Sequence, residues 1–192
     1  NIQNLAKTYK IFVIEDDKSL NQLIVNNLED EGFETNYSYK GKSALEKINK
    51  QNSQILLIDY ELPDMDAKEL IEKLSEQDIE LPFIIMTGGD ESRALEMMKM
   101  GASDYIIKQD NFIKLLKYRL IRVCEEINSK KELAKSKKDL ANSEQKFRSF
   151  YESMDDGVAL HELIYNEDGN PVDYKIIDIN PKYEELLGNK SG

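Results

Sequence analysis

Glu15, Asp16, Asp59, Thr87 and Lys108 all stand where a short apolar run stops. The runs are Lys10-Ile11-Phe12-Val13-Ile14, Ile55-Leu56-Leu57-Ile58, Pro82-Phe83-Ile84-Ile85-Met86 and Tyr105-Ile106-Ile107. A carboxylate has no place inside a buried strand, but open α/β sheets bind their ligands at the carboxyl ends of strands. Taken alone, Asp59 reads either as a turn residue capping a helix or as a reactive carboxylate. Glu15-Asp16-Asp17 reads as an acidic helix start or as a cluster whose mutual repulsion solvent or a cation must offset. Taken together, the acids form a hard, all-oxygen site suited to Mg²⁺. A hydroxyl at Thr87 and an ammonium at Lys108 would hold two more oxygens of a phosphoryl group. Such transfer needs mainly positioning and charge neutralisation. Asp59 would then be the nucleophile, giving an aspartyl phosphate.

Those residues need strands and helices to bring them to one rim. Ile55–Ile58 is continuous and apolar, as a strand covered on both faces should be, and Pro63 ends the segment after Asp59. Residues 18–30 predict a helix with Leu20, Leu23, Ile24 and Leu28 on one face, stopped at Gly32. A weak strand is expected at Thr35–Tyr39, and helices at 42–50, at 67–75 and at 91–100. Met97, Met98 and Met100 read as core packing. Five strands alternating with helices predict a parallel sheet with helices on both faces.

VIEDD at 13–17, DYELPDMD at 59–66, MTG at 86–88 and GASDYIIK at 101–108 occur in that order. Over about residues 8 to 125 the sequence resembles the response-regulator receiver family. The resemblance implies an α/β fold, the (βα)5 flavodoxin-like receiver with parallel sheet order 2-1-3-4-5. It also implies roles. Asp59 matches the phosphoacceptor, Asp16 the direct metal ligand, Glu15 the outer acid and the Glu61 backbone carbonyl a further metal ligand. Thr87 and Tyr105 match a switch pair, and Lys108 the phosphate-binding lysine. The implied cofactor is Mg²⁺, and the implied donor is a histidine kinase or phosphotransfer protein. Gln109 stands where the family usually has proline. A trans peptide is predicted there, because a cis bond without proline costs about 3–4 kcal/mol. Ala67 replaces a common glycine.

Other classes fit less well. An aspartate-nucleophile phosphatase would want a fuller DxDx(T/V) motif than Asp59 and Glu61 provide. A nucleotide-binding enzyme would want glycines where Glu15-Asp16-Asp17 stand. A receiver acting as an unphosphorylated dimerisation module is the remaining alternative. No kinase core is expected here, only self-phosphorylation from a donor and later dephosphorylation.

The 192 residues are 40% hydrophobic and 33% charged, with net charge −11. That charge is uneven: −10 over residues 1–112, +6 over 113–150 and −7 over 151–192. The acidic body argues against nucleic-acid binding, and no apolar run approaches membrane-spanning length. A lone cysteine, Cys124, fits a reducing cytoplasm and reads as packing. The absent initiator Met suggests an excised piece of a longer signalling protein, such as a sensor histidine kinase.

From Asn111 a helical pattern runs on without glycine or proline as far as Gly157. Ile113, Leu116, Leu120, Val123 and Ile127 mark its first stripe. Then Leu133, Leu140 and Phe147 recur every seven residues in a different phase, which suits either a solvated single helix or a parallel homodimer seam. From about Ser143 the sequence resembles the start of a PAS domain, with a hairpin turn at Asp168-Gly169-Asn170 and a strand ending at Asn180-Pro181. His161 reads as a strand residue. The expected division is a receiver at 1–125, a helical or coiled-coil linker at 126–150 and a truncated PAS segment (α+β) at 151–192.

Overall fold

A computed structural model describes residues 2–48, 54–89 and 91–188. The chain divides into two compact units, Asn1–Ser129 and Lys130–Gly192. In the first unit, strands β1 (Lys10–Ile14), β2 (Glu34–Ser38), β3 (Gln54–Asp59), β4 (Phe83–Thr87) and β5 (Asp104–Ile107) form one parallel sheet. Its order is β2-β1-β3-β4-β5, as expected. The helices are α1 (Ile2–Thr8), α2 (Lys18–Asp30), α3 (Gly41–Lys47), α4 (Ala67–Glu76), α5 (Glu91–Lys99) and the long α6 (Phe112–Glu152).

Strand side chains alternate between faces, and this sheet is buried on both. Ile11, Val13, Ile55, Leu57, Ile84 and Met86 enter one core with α1, α2 and α6. Phe12, Ile14, Leu56, Ile58, Phe83 and Ile85 enter the other with α3, α4 and α5. Each such side chain, fully buried, contributes about 1.5–3 kcal/mol. The register then sets the rim: Ile14 lies beside Ile58, Asp59 beside Met86 and Thr87 beside Ile107.

Several local expectations shift. Leu23 is exposed, and α2 instead buries Asn21, Ile24, Val25 and Leu28. Ile24 and Leu28 are shared with the expected face and Leu20 still packs at its edge, so the buried stripe is turned by less than one residue's step toward Asn21 and Val25. Gly32, at φ 91°, accepts the left-handed turn that ends this segment, with Phe33 N–H donating to the Leu28 carbonyl at 3.0 Å. The third helix closes at Lys47, and the last two residues expected in it, 49 and 50, lie outside the described residues. Met97 is buried and Met100 packs against the core, but Met98 faces outward. The Lys108–Gln109 peptide is trans, as predicted.

Sequence reading missed α1 entirely. Seven residues are too few to be helical alone. Its Leu5 and Ala6 are nonetheless buried in the α2/α6 core, and the Tyr9 hydroxyl donates to Asn128 Oδ1 at 2.7 Å. Leu116, Leu120, Val123 and Cys124 of α6 are buried in the same core, with Ile113 and Ile127 partly so. A buried carboxylate, Asp104, also fastens this helix. Arg119 reaches both its oxygens at 3.1 Å and Arg122 one at 3.0 Å. Both arginines are about half exposed, so solvent screens each pair and losing either one costs about 1 kcal/mol or less.

In the second unit, β6 (Ala159–Tyr165) and β7 (Pro171–Ile179) make an antiparallel hairpin followed by α7 (Pro181–Leu186). The turn follows its chemistry: Gly169 takes φ 78°, and Asn166 Oδ1 accepts from the N–H groups of Asp168 and Asn170. Asn180, fully buried, accepts from the N–H of Val158 and of Tyr183 and donates to the carbonyls of Tyr151 and Asp156. His161 is a strand residue packed edge-on to Tyr174 at 4.9 Å. Leu133, Leu140 and Phe147 are exposed along α6.

Burial pushes the Cys124 thiol up to about 12, so almost no nucleophilic thiolate exists at neutral pH. Iodoacetamide at pH 8 is expected to alkylate the native protein at least about 100-fold more slowly than the urea-unfolded chain. Mass spectrometry over time checks this; equal rates would place Cys124 at the surface.

Candidate functional site

The acidic triplet after β1 splits by function. Asp17 turns away to cap α2, accepting from Ser19 N–H at 2.8 Å and Leu20 N–H at 3.0 Å. Glu15 stays buried at the rim, and its N–H donates to the Ser38 carbonyl at 3.2 Å. Asn21 reaches from α2 beneath this corner and donates to the carbonyls of Glu15 at 2.9 Å and Ser38 at 3.3 Å. An amide in that place satisfies carbonyls that water cannot reach. Sequence reasoning missed Asn21. Its signal was a polar residue at the same helical spacing as Ile24, Val25 and Leu28.

Asp59 ends β3 with 8% of its surface exposed. Carboxylate oxygens of Glu15, Asp16 and Asp59 lie within 4.8 Å of one another, with Asp16 exposed and the other two buried. Lys108 enters from the end of β5, its N–H donating to the Thr87 carbonyl at 2.7 Å. Its ammonium stands 2.7 Å from Glu15 Oε2 and 2.8 Å from Asp59 Oδ1. Thr87 is buried at the end of β4. Asp59, Tyr60, Glu61, Thr87, Gly88, Arg93 and Lys108 together line a cleft of 390 Å³. Tyr105 is brought to the neighbouring strand, opposite Ile85 in register, but does not line the cleft.

The loop after Asp59 is closed on itself. Tyr60 N–H donates to the Met86 carbonyl, Ala67 N–H to the Tyr60 carbonyl, and Glu61 bridges Asp66. Asp66 caps α4 through Glu69 N–H at 2.8 Å. Asp64 crosses to the start of α3 and accepts from the N–H groups of Gly41 and Lys42 at 2.8 and 3.0 Å. Burial opposes its charge, but those donors win and hold its carboxyl below the usual range. Arg93, also unforeseen, contacts the Glu61 carboxylate and lies 4.9 Å from the Tyr60 ring centre. Nothing in the sequence marked it, because its partners lie 32 and 33 residues away.

Burial raises the Glu15 carboxyl above its ordinary range, Lys108 opposing and the charge on Asp59 adding. Burial likewise raises Asp59, with Lys108 opposing and Asp16 adding. Lys108 is itself raised, because the two carboxylates outweigh its own desolvation. One ammonium thus faces three acids. Glu15 Oε2 is buried with no hydrogen-bond donor beyond that ion pair. An under-neutralised trio of hard oxygen donors fits a hard divalent cation.

The comparisons agree with this geometry. The family described as the response regulator receiver domain matches residues 11–119. The chain belongs to that family. A PAS domain match follows at residues 145–191. The phosphate regulon transcriptional regulatory protein PhoB of Rhizobium meliloti is 34% identical over 102 residues, 52% of this chain and 45% of the relative. The transcriptional regulatory protein CrdR of Helicobacter pylori is 33% identical over 101 residues, 52% of this chain and 47% of the relative. The chain therefore spans about half the length of these curated relatives. The solved receiver domain of the Francisella response regulator 1452 aligns with TM-score 0.56 and 32% identity, covering 62% of this chain and 98% of that one. Among the described residues no helix is long and apolar enough to cross a membrane.

The raised carboxyls give the receiver a stability signature. A folded-state value above the unfolded one means stability is fully present below the unfolded value and is lost as pH rises through the folded one. At pH 7 an ionised Asp59 therefore weakens the metal-free fold. Asp59→Asn is expected to raise the metal-free melting temperature by about 2–4 °C, a gain of about 1 kcal/mol. Mg²⁺ should raise the melting temperature of the wild type more than that of the variant, as calorimetry would read. A lower melting temperature for the metal-free variant would show that the Lys108 pair outweighs the repulsion.

Proposed function

We propose that this receiver is a phosphorelay acceptor, taking a phosphoryl group on Asp59 from the phosphohistidine of a histidine kinase or phosphotransfer protein in the cytoplasm. An Asp59 oxygen attacks phosphorus, the P–N bond breaks, and the electron pair stays on the departing nitrogen, which leaves as neutral imidazole because its other ring nitrogen already carries a proton. Hydrolysis of the acyl phosphate later restores Asp59. The observation that carries this reading is the Glu15–Lys108–Asp59 arrangement, in which a buried nucleophile shares one ammonium with a second acid. Glu15, Asp16, Asp59 and the Glu61 backbone carbonyl are the residues that would hold Mg²⁺. Bound there, the cation neutralises carboxylate and phosphoryl oxygens. The Thr87 hydroxyl and Lys108 ammonium engage two further phosphoryl oxygens, and Tyr105 follows Thr87 as the switch partner on β5.

The signal then leaves through α6. A phosphoryl group adds about two negative charges beside Lys108, and a change in how the first part of α6 packs reaches the connector. We divide the chain into a receiver at 1–125, a linker at 126–150 and a PAS segment at 151–192. The exposed Leu133, Leu140 and Phe147 support a parallel homodimer along the linker.

Acetyl phosphate with Mg²⁺ is expected to label the protein once, and Asp59→Asn to abolish the label. Label that survives this substitution rejects Asp59 as acceptor and leaves an unphosphorylated dimerisation module as the better reading. For the linker, Leu133→Cys and Leu140→Cys placed singly in a Cys124→Ser background should cross-link between copies on mild oxidation. Absence of cross-links at both positions, with and without beryllofluoride, would reject the parallel dimer.

A further inference from the structure

Apart from the metal ion, the phosphoryl chemistry at Asp59 relies on Lys108 for positive charge, and Lys108 is already shared by two carboxylates. A dianionic donor entering the cleft meets Glu15, Asp16 and Asp59 behind that single ammonium. Arg93, in the first turn of α5, lines the same cleft. It is tied to Tyr60 and Glu61, the two residues that follow Asp59, by the ring face and by the carboxylate.

The strength of that tie decides what Arg93 can do. The Arg93 and Glu61 side chains are 38% and 70% exposed, and an ion pair so solvated is weak. A guanidinium meeting phosphoryl oxygens makes shorter, charge-assisted and often paired hydrogen bonds. Its plane can keep the Tyr60 ring as a platform while exchanging one anion for the other. The arrangement therefore favours exchange when a phosphoryl group arrives.

We propose that Arg93 is the outer cation of the Asp59 cleft, drawing in an anionic phosphodonor and passing from Glu61 to the oxygens of the transferred group. This rests on Asp59 being the acceptor. With acetyl phosphate, an Asp59 oxygen bonds to phosphorus as the P–O bond to the acetyl group breaks. Acetate leaves with the electron pair and no proton moves. Arg93 takes no part in bond making; it holds charge where the incoming oxygens crowd. Glu61 is its resting partner, so the residue two places after the nucleophile tunes how readily that charge is released.

The test is the initial rate of labelling by acetyl phosphate, measured on the full chain at low and high ionic strength. Arg93→Ala is expected to label about 5-fold or more slowly at low salt, with the gap shrinking to within about 2-fold at high salt. Arg93→Lys should fall between, keeping the charge but losing the fork. Glu61→Gln should quicken labelling, more at low salt than at high, because it both frees Arg93 and removes a negative charge from the cleft. Circular dichroism should match the wild type in Arg93→Ala, and Mg²⁺ affinity should not fall, because Arg93 is no metal ligand and its charge opposes a cation. Wild-type labelling in Arg93→Ala at low salt, with Asp59 still the labelled residue, overturns the inference alone. A wild type that takes no label overturns the acceptor reading itself, and this inference with it.

Discussion

Two carboxylates buried beside one ammonium set the terms for the rest of this receiver. Taking a charge out of water costs several kcal/mol even after the protein relaxes. Lys108 offsets that cost for Glu15 and Asp59 only in part, because both acids remain harder to ionise than usual. The site is therefore under electrostatic tension that a cation relieves. Such tension persists only where the surrounding structure holds the groups in place. Here that structure is the two-faced core, with β1, β3 and β4 buried throughout save for the edge residue Lys10.

The rim is then tightened by polar contacts with no catalytic part of their own. Asn21 satisfies the carbonyls beneath Glu15, while Asp17 is drawn off to cap α2. Asp64 binds the loop after Asp59 to the start of α3, and Met65 packs against Gly41 so closely that a Cβ there would meet its side chain at 2.4 Å. The two acid-rich loops thus commit their carboxylates differently: Asp17 and Asp66 to caps, Asp64 to a neighbouring helix, Glu61 to Arg93, and Glu15, Asp16 and Asp59 to the cluster. Net charge alone would not distinguish them.

The last helix of the receiver is anchored more firmly than a surface helix needs. Asp104 holds it through two arginines, and Tyr9 reaches Asn128 near the end of its buried part. Beyond residue 129 the character of α6 changes, and its apolar residues Leu133 and Leu140 stand exposed among lysines. One helix thus carries a packed stripe and then a solvated one in a different phase. The first is explained by the receiver core; the second is exposed to solvent.

Strand placement and the acidic cluster were legible in the sequence, because an apolar run broken by a carboxylate has few physical solutions; the sheet order was implied only by the family resemblance. Ile55–Ile58 can only be interior, and Asp59 can only be at its edge. The ordered motifs around Asp16, Asp59, Thr87 and Lys108 then fixed the family. The hairpin at Asp168-Gly169-Asn170 was readable for a similar local reason, since Gly169 tolerates the positive φ the turn requires. What the sequence could not show depends on contacts between distant segments. The short α1 gains its stability from the core it shares with the sheet, α2 and α6, Leu23 faces water because the rotation of α2 is set by the sheet beneath it, and Met98 faces out for the same kind of reason. Arg93 joins the cleft only because the first turn of α5 lies against the residues that follow β3. Local periodicity reports which residues prefer burial; only the tertiary structure decides which charges meet.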